Sequence, residues 1–261
     1  IDTARSLFAH ILDHEDGPLI ETVHSFCQSV LMRFPIEAGI APQFDLIAEH
    51  DRNMLLVECF YALLNEASAS PASASAKAFM RLAAQSDDEQ ILKRLKGFLS
   101  NRSHAHKMAF EMDARAEFEA NLLDEAGFFR PQDVPALTNE VMAEMQAAPL
   151  AEIADMLSDG GVTQQRRADK IRRWLALENH SRLRELSLLA NAFLTQQGQA
   201  LKKVSDKSID SKHPTCEALQ EPIMARMVQY QSATANALCF ELSLALTDAG
   251  SALYRRFQQE K

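Results

Sequence analysis

The sequence predicts a mainly α-helical protein. Its 261 residues include only eight Gly and nine Pro, while residues with high helix propensity such as Ala, Leu, Glu and Gln are frequent. Apolar residues make up 47% of the chain, which is enough for a buried core. They recur at spacings of three and four, the pattern of helices with one buried face. No repeat of about 20 to 50 residues is present, which disfavours a solenoid.

The first predicted elements are a helix, a short strand and a second helix. Residues 4–12 carry a helical apolar stripe that ends before Gly17, and residues 19–23 are strand-like. Ser25 opens an S-x-x-Q capping-box pattern that starts the second helix, and Pro35 stops it. The face of this helix that is predicted to be buried consists of Phe26, Val30, Leu31 and Phe34.

Helical patterns continue to the end of the chain. The Ser/Ala tract from Glu66 to Ala78 is interpreted as a connection, although its alanines are also compatible with a helix. Residues 193–214 lose the helical pattern and predict an ordered loop or a small hairpin. Pro222 falls in the first turns of the last helix, where proline is tolerated, or else it divides this helix in two. The predicted helices are 51–64, 76–85, 89–100, 105–123, 134–146, 150–157, 166–177, 182–193 and 215–258.

Cysteine usage and hydropathy bear on the compartment. The four cysteines form no C-x-x-C pair, which argues against a zinc site and a disulfide framework and predicts a reducing, cytoplasmic environment. No apolar run approaches the roughly 18 residues of a membrane span, so we expect no membrane association. The chain begins at Ile1 rather than Met, which suggests a piece of a longer protein, with tag removal as the alternative.

Positive charge is concentrated in one segment. The net charge is −9, yet residues 161–213 hold eleven Lys or Arg against five Asp or Glu, a local charge of +6, which leaves −15 elsewhere. Within it, Arg166, Lys170 and Arg173 have helical spacings of four and three, with Arg167 beside them. Such a strip can bind phosphates and release counterions. A solvated helix face is the structural alternative.

The sequence offers no clear motif for nucleotide binding, metal binding or a catalytic pair. The sequence has no G-x-x-x-x-G-K-[ST] loop and no G-x-G-x-x-G loop, so we expect this polypeptide alone not to bind a nucleotide in the usual way. His104 and His106 would point to different faces of a helix, which argues against a metal site. His24 and Ser25 are adjacent in sequence, which is no evidence of a catalytic pair.

The strand-to-helix bend near residue 22 is the most informative stretch. It brings Thr22, His24 and Ser25 to the start of a helix, where hydroxyls, an imidazole and unpaired backbone N–H groups suit a phosphate. Phe26 follows directly. Its aromatic ring could stack on a base, or it could belong to the buried stripe of the helix.

The residues around this bend resemble a known family. The stretch ETVHSFCQSVLMRFPIEAGIAPQFDLIAEHD, residues 21–51, is similar to the T-x-H-x-F-C and R-F-P-x-E-A-G segment of UvrD/RecB-like superfamily one DNA helicases, and among them to the AddA type. The stretches ARSLFAHILD (4–13), NAFLTQQGQALKK (191–203) and SALYRRFQQEK (251–261) resemble the same family in the same order. The middle of the chain adds little to the resemblance.

The resemblance implies an irregular multi-helix domain of the helicase 1B type, residues 49–261. A strand-to-helix edge of a RecA-like 1A domain would precede it, residues 1–48. By the family's pattern, Thr22, His24, Ser25 and Phe26 would contact single-stranded DNA. The parent protein would be an ATP-dependent helicase and exonuclease of double-strand break repair by recombination. It would bind ATP and Mg²⁺ outside this chain, which itself needs no cofactor, and would pair with an AddB-like subunit.

Two other functions remain open at this stage. One is a helical protein–protein interaction domain without DNA binding, in which the basic segment meets an acidic partner. The other is a stand-alone hydrolase that uses His24 and Ser25. In the helicase interpretation the DNA-binding residues are Thr22, His24, Ser25, Phe26, Arg166, Arg167, Lys170 and Arg173, which would meet single-stranded and duplex DNA.

Overall fold

The computed structural model describes Thr3, Ser6 and residues 21–260 except 42, 43, 126 and 129. This described part is mainly helical, with thirteen α-helices and no β-strand, so the predicted fold class is confirmed. In chain order the helices are α1 (Val23–Arg33), α2 (Glu49–Ala69), α3 (Ala74–Ala83), α4 (Asp88–Ser100), α5 (Arg102–Phe110), α6 (Ala114–Asp124), α7 (Val134–Glu144), α8 (Ala147–Ser158), α9 (Val162–Leu175), α10 (Asn179–Arg184), α11 (Leu186–Phe193), α12 (Lys207–Lys212) and α13 (Cys216–Gln259).

The chain divides into two compact units, residues 1–54 and 55–261. In the first unit only Ser6 of the predicted helix 4–12 is described, and it is helical. The rest of that helix and the start of the predicted strand lie outside the described residues. At its described end the strand prediction is wrong, because Val23 already belongs to α1. The assignment of residues 1–48 to a RecA-like edge remains a prediction.

Several predicted boundaries in the second unit are wrong. The helix predicted for 182–193 is divided at Glu185 between α10 and α11. The Ser/Ala tract is helical up to Ala69 and again from Ala74, so the connection is only residues 70–73. Alanine has the highest helix propensity, and it prevails over the serines here. The single helix predicted for 105–123 is interrupted, since α5 ends at Phe110 and α6 begins at Ala114.

Helix α13 runs through the second unit from one end to the other. It has 44 residues, which corresponds to a length of about 66 Å, and it confirms the helix predicted for 215–258. Pro222 is accommodated inside it, near its start. None of the helices within the described residues has the length and apolar character that a membrane span requires.

Two large apolar clusters form along α13, and a smaller one joins α5 to Tyr254 of α13. The first surrounds Trp174 and joins α7, α8, α9 and α11 to the N-terminal half of α13, with Leu150, Leu157 and Phe193 fully buried. The second joins α2, α3 and α4 to its C-terminal half around Phe60. The helices approach closely there, since a Cβ on Gly250 would lie only 2.5 Å from Cδ1 of Phe98.

The segment between α11 and α13 is an ordered connection, as predicted, but it contains the short helix α12, which the sequence analysis did not predict. An antiparallel bridge joins Leu194 to Ala200, and Gly198 completes the turn with a φ of 76°, which favours glycine. Asp206 then caps α12, accepting hydrogen bonds from the hydroxyl of Ser208 at 2.8 Å and the N–H of Ile209 at 3.0 Å. These bonds, that of Ser208 first, lower the pKa of Asp206.

The cap at Asp206 makes this connection sensitive to acid. A lowered folded-state pKa contributes stability above the ordinary value near 3.8, and this contribution is lost as the pH falls through the lowered value. Asp206→Asn keeps an oxygen acceptor for the cap but cannot ionise. We therefore expect its urea midpoint to lie below that of the natural chain at pH 7, and the difference between the two midpoints to shrink as the pH falls from 7 to 3.

The exposed Asp45, which has no hydrogen-bond partner in the described part of the chain, provides the control. Asp45→Asn should leave the midpoint within error at both pH values. A difference between Asp206→Asn and the natural chain that stays constant from pH 7 to pH 3 would contradict the prediction.

Candidate nucleic-acid interface

Helix α1 begins with a threonine cap. Oγ1 of Thr22 accepts a hydrogen bond from the backbone N–H of Ser25 at 3.2 Å and lies 3.0 Å from Oγ of Ser25. The prediction that Ser25 itself caps the helix is therefore wrong, since the cap lies three residues earlier. A threonine with extended backbone, φ −70° and ψ 158°, fills this role well because its hydroxyl replaces a missing helical acceptor.

The start of α1 leaves donors free. Among the described residues, the backbone N–H groups of Val23 and His24 have no hydrogen-bond partner, as is usual for a first helical turn. Both hydroxyls and the His24 side chain are exposed beside them. The helix dipole adds partial positive charge at this end. The arrangement suits a phosphate oxygen.

The apolar face of α1 is open to solvent. Phe26, Val30, Leu31 and Phe34 are 39% to 58% exposed, and α1 has no buried residue. The prediction that they form a buried face is wrong for the described chain. Hydrophobic spacing indicates that one helix face is apolar but does not specify what covers it. Phe26, at 58% exposure, presents its ring beside the free N–H groups.

The basic helix α9 has two distinct faces. Ala168, Ile171 and Trp174 are fully buried on one side. Arg166 and Arg173 lie on the opposite side, exposed and without an ion-pair or hydrogen-bond partner in the described part of the chain. They are seven residues apart, about two turns, so both point outward from the same helix face.

Lys170 and Arg167 are held by backbone carbonyls. Nζ of Lys170 donates to the carbonyl of Asn191 at 3.0 Å, and Nη1 of Arg167 donates to that of Val204 at 3.0 Å. Burial lowers the pKa of Arg167. The structure thus separates the four predicted cations into two free side chains and two that tie α9 to neighbouring segments. Their role in binding DNA remains a prediction.

The C-terminal end of α9 is fixed by an aromatic contact. Nε1 of Trp174 donates to the carbonyl of Arg182 at 3.1 Å, and the guanidinium of Arg182 lies 5.4 Å from the centroid of the indole ring. That guanidinium also donates to the carbonyl of Leu177 at 2.9 Å. Arg184, two residues further on, is exposed and has no partner among the described residues. In the sequence, Arg184 was indicated only by its position in the basic segment 161–213.

The hydrolase alternative finds no support at α1. The hydroxyl of Ser25 pairs with Thr22 rather than with His24. His104 and His106 face different aromatic rings, Phe98 and Phe110. Within the described ranges no three His, Cys, Asp or Glu side chains come together as metal ligands.

The threonine-capped start of α1 and the exposed guanidinium groups of α9 are features compatible with phosphate binding. The family model of the UvrD/REP helicase N-terminal domain matches residues 5–253. Because this match covers nearly the whole chain, the protein belongs to this family of UvrD-like superfamily one helicases, and its function is related to DNA unwinding. Neither the curated proteins nor the solved structures gave a match.

Proposed function

We propose that this chain is the DNA-contacting part of an AddA-type helicase–nuclease subunit that processes double-strand breaks for recombination. The family match supports the helicase part of this proposal. The R-F-P-x-E-A-G stretch after α1, Arg33 to Gly39, supports the AddA type through its resemblance. A partner subunit of the AddB type and the exonuclease activity of the parent protein belong to the same proposal.

In this proposal α1 holds single-stranded DNA. Thr22, His24 and Ser25 bind a backbone phosphate together with the free N–H groups of the first helical turn. Phe26 stacks on the neighbouring base, which requires an exposed ring. The observation that carries this assignment is the exposure of Phe26 in the first turns of α1, where the N–H groups of Val23 and His24 have no partner among the described residues. A ring buried in a core would not have supported it.

In the same proposal, duplex DNA binds to the exposed face of α9. Arg166 and Arg173 are free to contact two phosphates, while Arg167 and Lys170 keep the helix in place through their carbonyl partners. The parent's movement along DNA uses ATP and Mg²⁺, but this sequence has no phosphate-binding loop. No residue here is assigned to either of them.

The role of Phe26 can be tested with the full 261-residue chain and a labelled single-stranded oligonucleotide. Phe26→Ala is expected to raise the dissociation constant about 5- to 100-fold in fluorescence anisotropy, because one stacked base contributes about 1–3 kcal/mol. Thr22→Ala and His24→Ala should weaken binding by a smaller factor.

Phe34→Ala provides the matched control. It removes an equally exposed ring from the other end of the same helix, and we expect it to leave the dissociation constant unchanged. Equal losses for the two variants would contradict a stacking role of Phe26. The absence of binding at low salt would favour the protein-interaction alternative.

A further inference from the structure

An open cleft of about 840 Å³ lies beside the C-terminal half of α13. The start of α3, the corner between α5 and α6, and α13 form its walls. None of the residues considered above for DNA binding lines it. We call it the α3–α13 cleft, and the residues that characterise it are Ala74, Ser75, Phe110, Met112, Ser251 and Arg255.

The start of α3 contributes backbone donors to the cleft. Oγ of Ser73 caps this ten-residue helix by accepting from the N–H of Ala76 at 3.1 Å. The N–H groups of Ala74 and Ser75 have no partner among the described residues. The positive end of the helix dipole therefore faces the cleft together with two unused donors.

Ser251 is a second, independent indication that the α3–α13 cleft binds a ligand. The residue is only 5% exposed, and its buried Oγ has no hydrogen-bond partner in the described part of the chain. A buried hydroxyl without a partner costs stability, and such groups are rare in native proteins. A bound group that accepts or donates a hydrogen bond at this position would remove that cost.

Arg255 adds a charged donor at the edge of the cleft. Its Nη1 donates to the carbonyl of Ala109 at 2.9 Å, which orients the guanidinium, and its other N–H groups have no partner among the described residues. The neighbouring Arg115 is different, because Asp248 and Glu119 already occupy its guanidinium. Of these two guanidinium groups in the cleft, that of Arg255 therefore has N–H groups available for an anion.

The rim of the cleft is apolar. Met112 is 96% exposed and Phe110 is 53% exposed, and both line the cleft. Aromatic, Met and Arg side chains are the types enriched in protein–protein interfaces, and methionine adapts its shape to different partners. The cleft thus combines a site for one anionic group with an adaptable apolar surface.

The surrounding charge favours a protein over a nucleic acid. The carboxylates of Glu111 and Asp248 also line the cleft, and they would repel a chain of successive phosphates more strongly than a single carboxylate at Arg255. The cleft lies outside the basic segment 161–213, in the part of the sequence whose net charge is −15. We propose that the α3–α13 cleft docks a segment of a partner protein that presents one carboxylate next to an apolar side chain.

A small probe that carries only these two features tests the proposal. In the full chain labelled at its methionine methyl groups, N-acetyl-leucine is titrated into the millimolar range and followed by NMR. The signals of Met108 and Met112 are expected to shift in a saturable manner, while those of Met142 and Met224 in the first cluster stay in place. N-acetyl-leucinamide, which lacks the carboxylate, should bind about tenfold more weakly.

Variants connect the binding to the named groups. Arg255→Gln and Ser251→Ala should each weaken N-acetyl-leucine binding about three- to tenfold. Arg94→Gln, an equal charge change at an exposed position of α4 that does not line the cleft, should not alter it. Because Ser251→Ala removes a buried hydroxyl without a partner, it should not lower the urea midpoint.

Three results would overturn the proposal. The first is the absence of shifts at Met108 and Met112. The second is equal binding of the carboxylate and the amide, which would leave the anion site without a role. The third is that inorganic phosphate or a short DNA duplex shifts the same signals more strongly than N-acetyl-leucine, which would indicate a phosphate site.

Discussion

Duplex DNA binding is expected to fall about 10- to 100-fold at physiological salt when Arg166 and Arg173 are both replaced by Glu. The two guanidinium groups lie on the same outward face of α9 and have no partner among the described residues. Each phosphate that they contact contributes about 0.9 to the slope of log K against log salt. The slope of the double variant should therefore be less steep by about 2.

The measurement is anisotropy of a labelled duplex over a series of salt concentrations. A matched control is the double variant Arg81→Glu and Arg94→Glu, which makes the same change in net charge at exposed positions of α3 and α4. If both double variants weaken binding equally, the effect is one of overall charge and α9 is not the interface. An unchanged slope in the α9 variant would also contradict the prediction.

Lys170 is a poor target for this experiment, although sequence spacing groups it with the other two. Its Nζ holds the carbonyl of Asn191, so Lys170→Glu would remove a structural contact as well as a charge. We expect its effect on the urea midpoint to be larger than that of Arg166→Glu. Comparing the two variants separates the stability of α9 from its contact with DNA.

Trp174→Ala is expected to lower the free energy of unfolding by about 3–5 kcal/mol. Trp174 is fully buried and is the largest side chain of the first apolar cluster. Its removal leaves a cavity, frees the carbonyl of Arg182 from its hydrogen bond and removes the ring under the guanidinium. These losses act together because one side chain joins α9 to the last turn of α10.

Urea unfolding followed by far-UV circular dichroism measures this effect, since the variant lacks the only tryptophan of the chain. Trp174→Phe keeps an aromatic ring but loses the Nε1 donor, and should cost about 1–2 kcal/mol. Met112→Ala, at an exposed position, should remain within about 0.5 kcal/mol of the natural chain. A loss below about 1 kcal/mol for Trp174→Ala would indicate that the first cluster does not depend on it.

Prediction from the sequence was most reliable for helices whose limits are set by their own residues. The long α13 was predicted almost to its ends, because its apolar residues keep helical spacing, and Pro222, the seventh residue of this helix, does not divide it. The prediction that the Ser/Ala tract is a connection was wrong, because its alanines favour a helix while its biased Ser/Ala composition is typical of a loop. The break between α5 and α6 carries no Gly or Pro, the residues that usually mark such an interruption.

Predictions of burial were less reliable at α1. The spacing of Phe26, Val30, Leu31 and Phe34 describes an apolar face correctly, yet the side chains are exposed. Burial depends on a second surface, and a pattern along one helix contains no information about that surface. The same exposure makes Phe26 available to a base, which was one of the two interpretations that its position left open.

By itself the sequence determined the helical class, the family resemblance at the start of α1 and the position of the basic segment, because propensity, periodicity and charge are properties of neighbouring residues. Only the tertiary structure decided which cations of α9 are free. Arg167 and Lys170 find their partners at Val204 and Asn191, which are 37 and 21 residues away along the chain. Contacts across such separations arise from packing, so no spacing rule could distinguish them from Arg166 and Arg173.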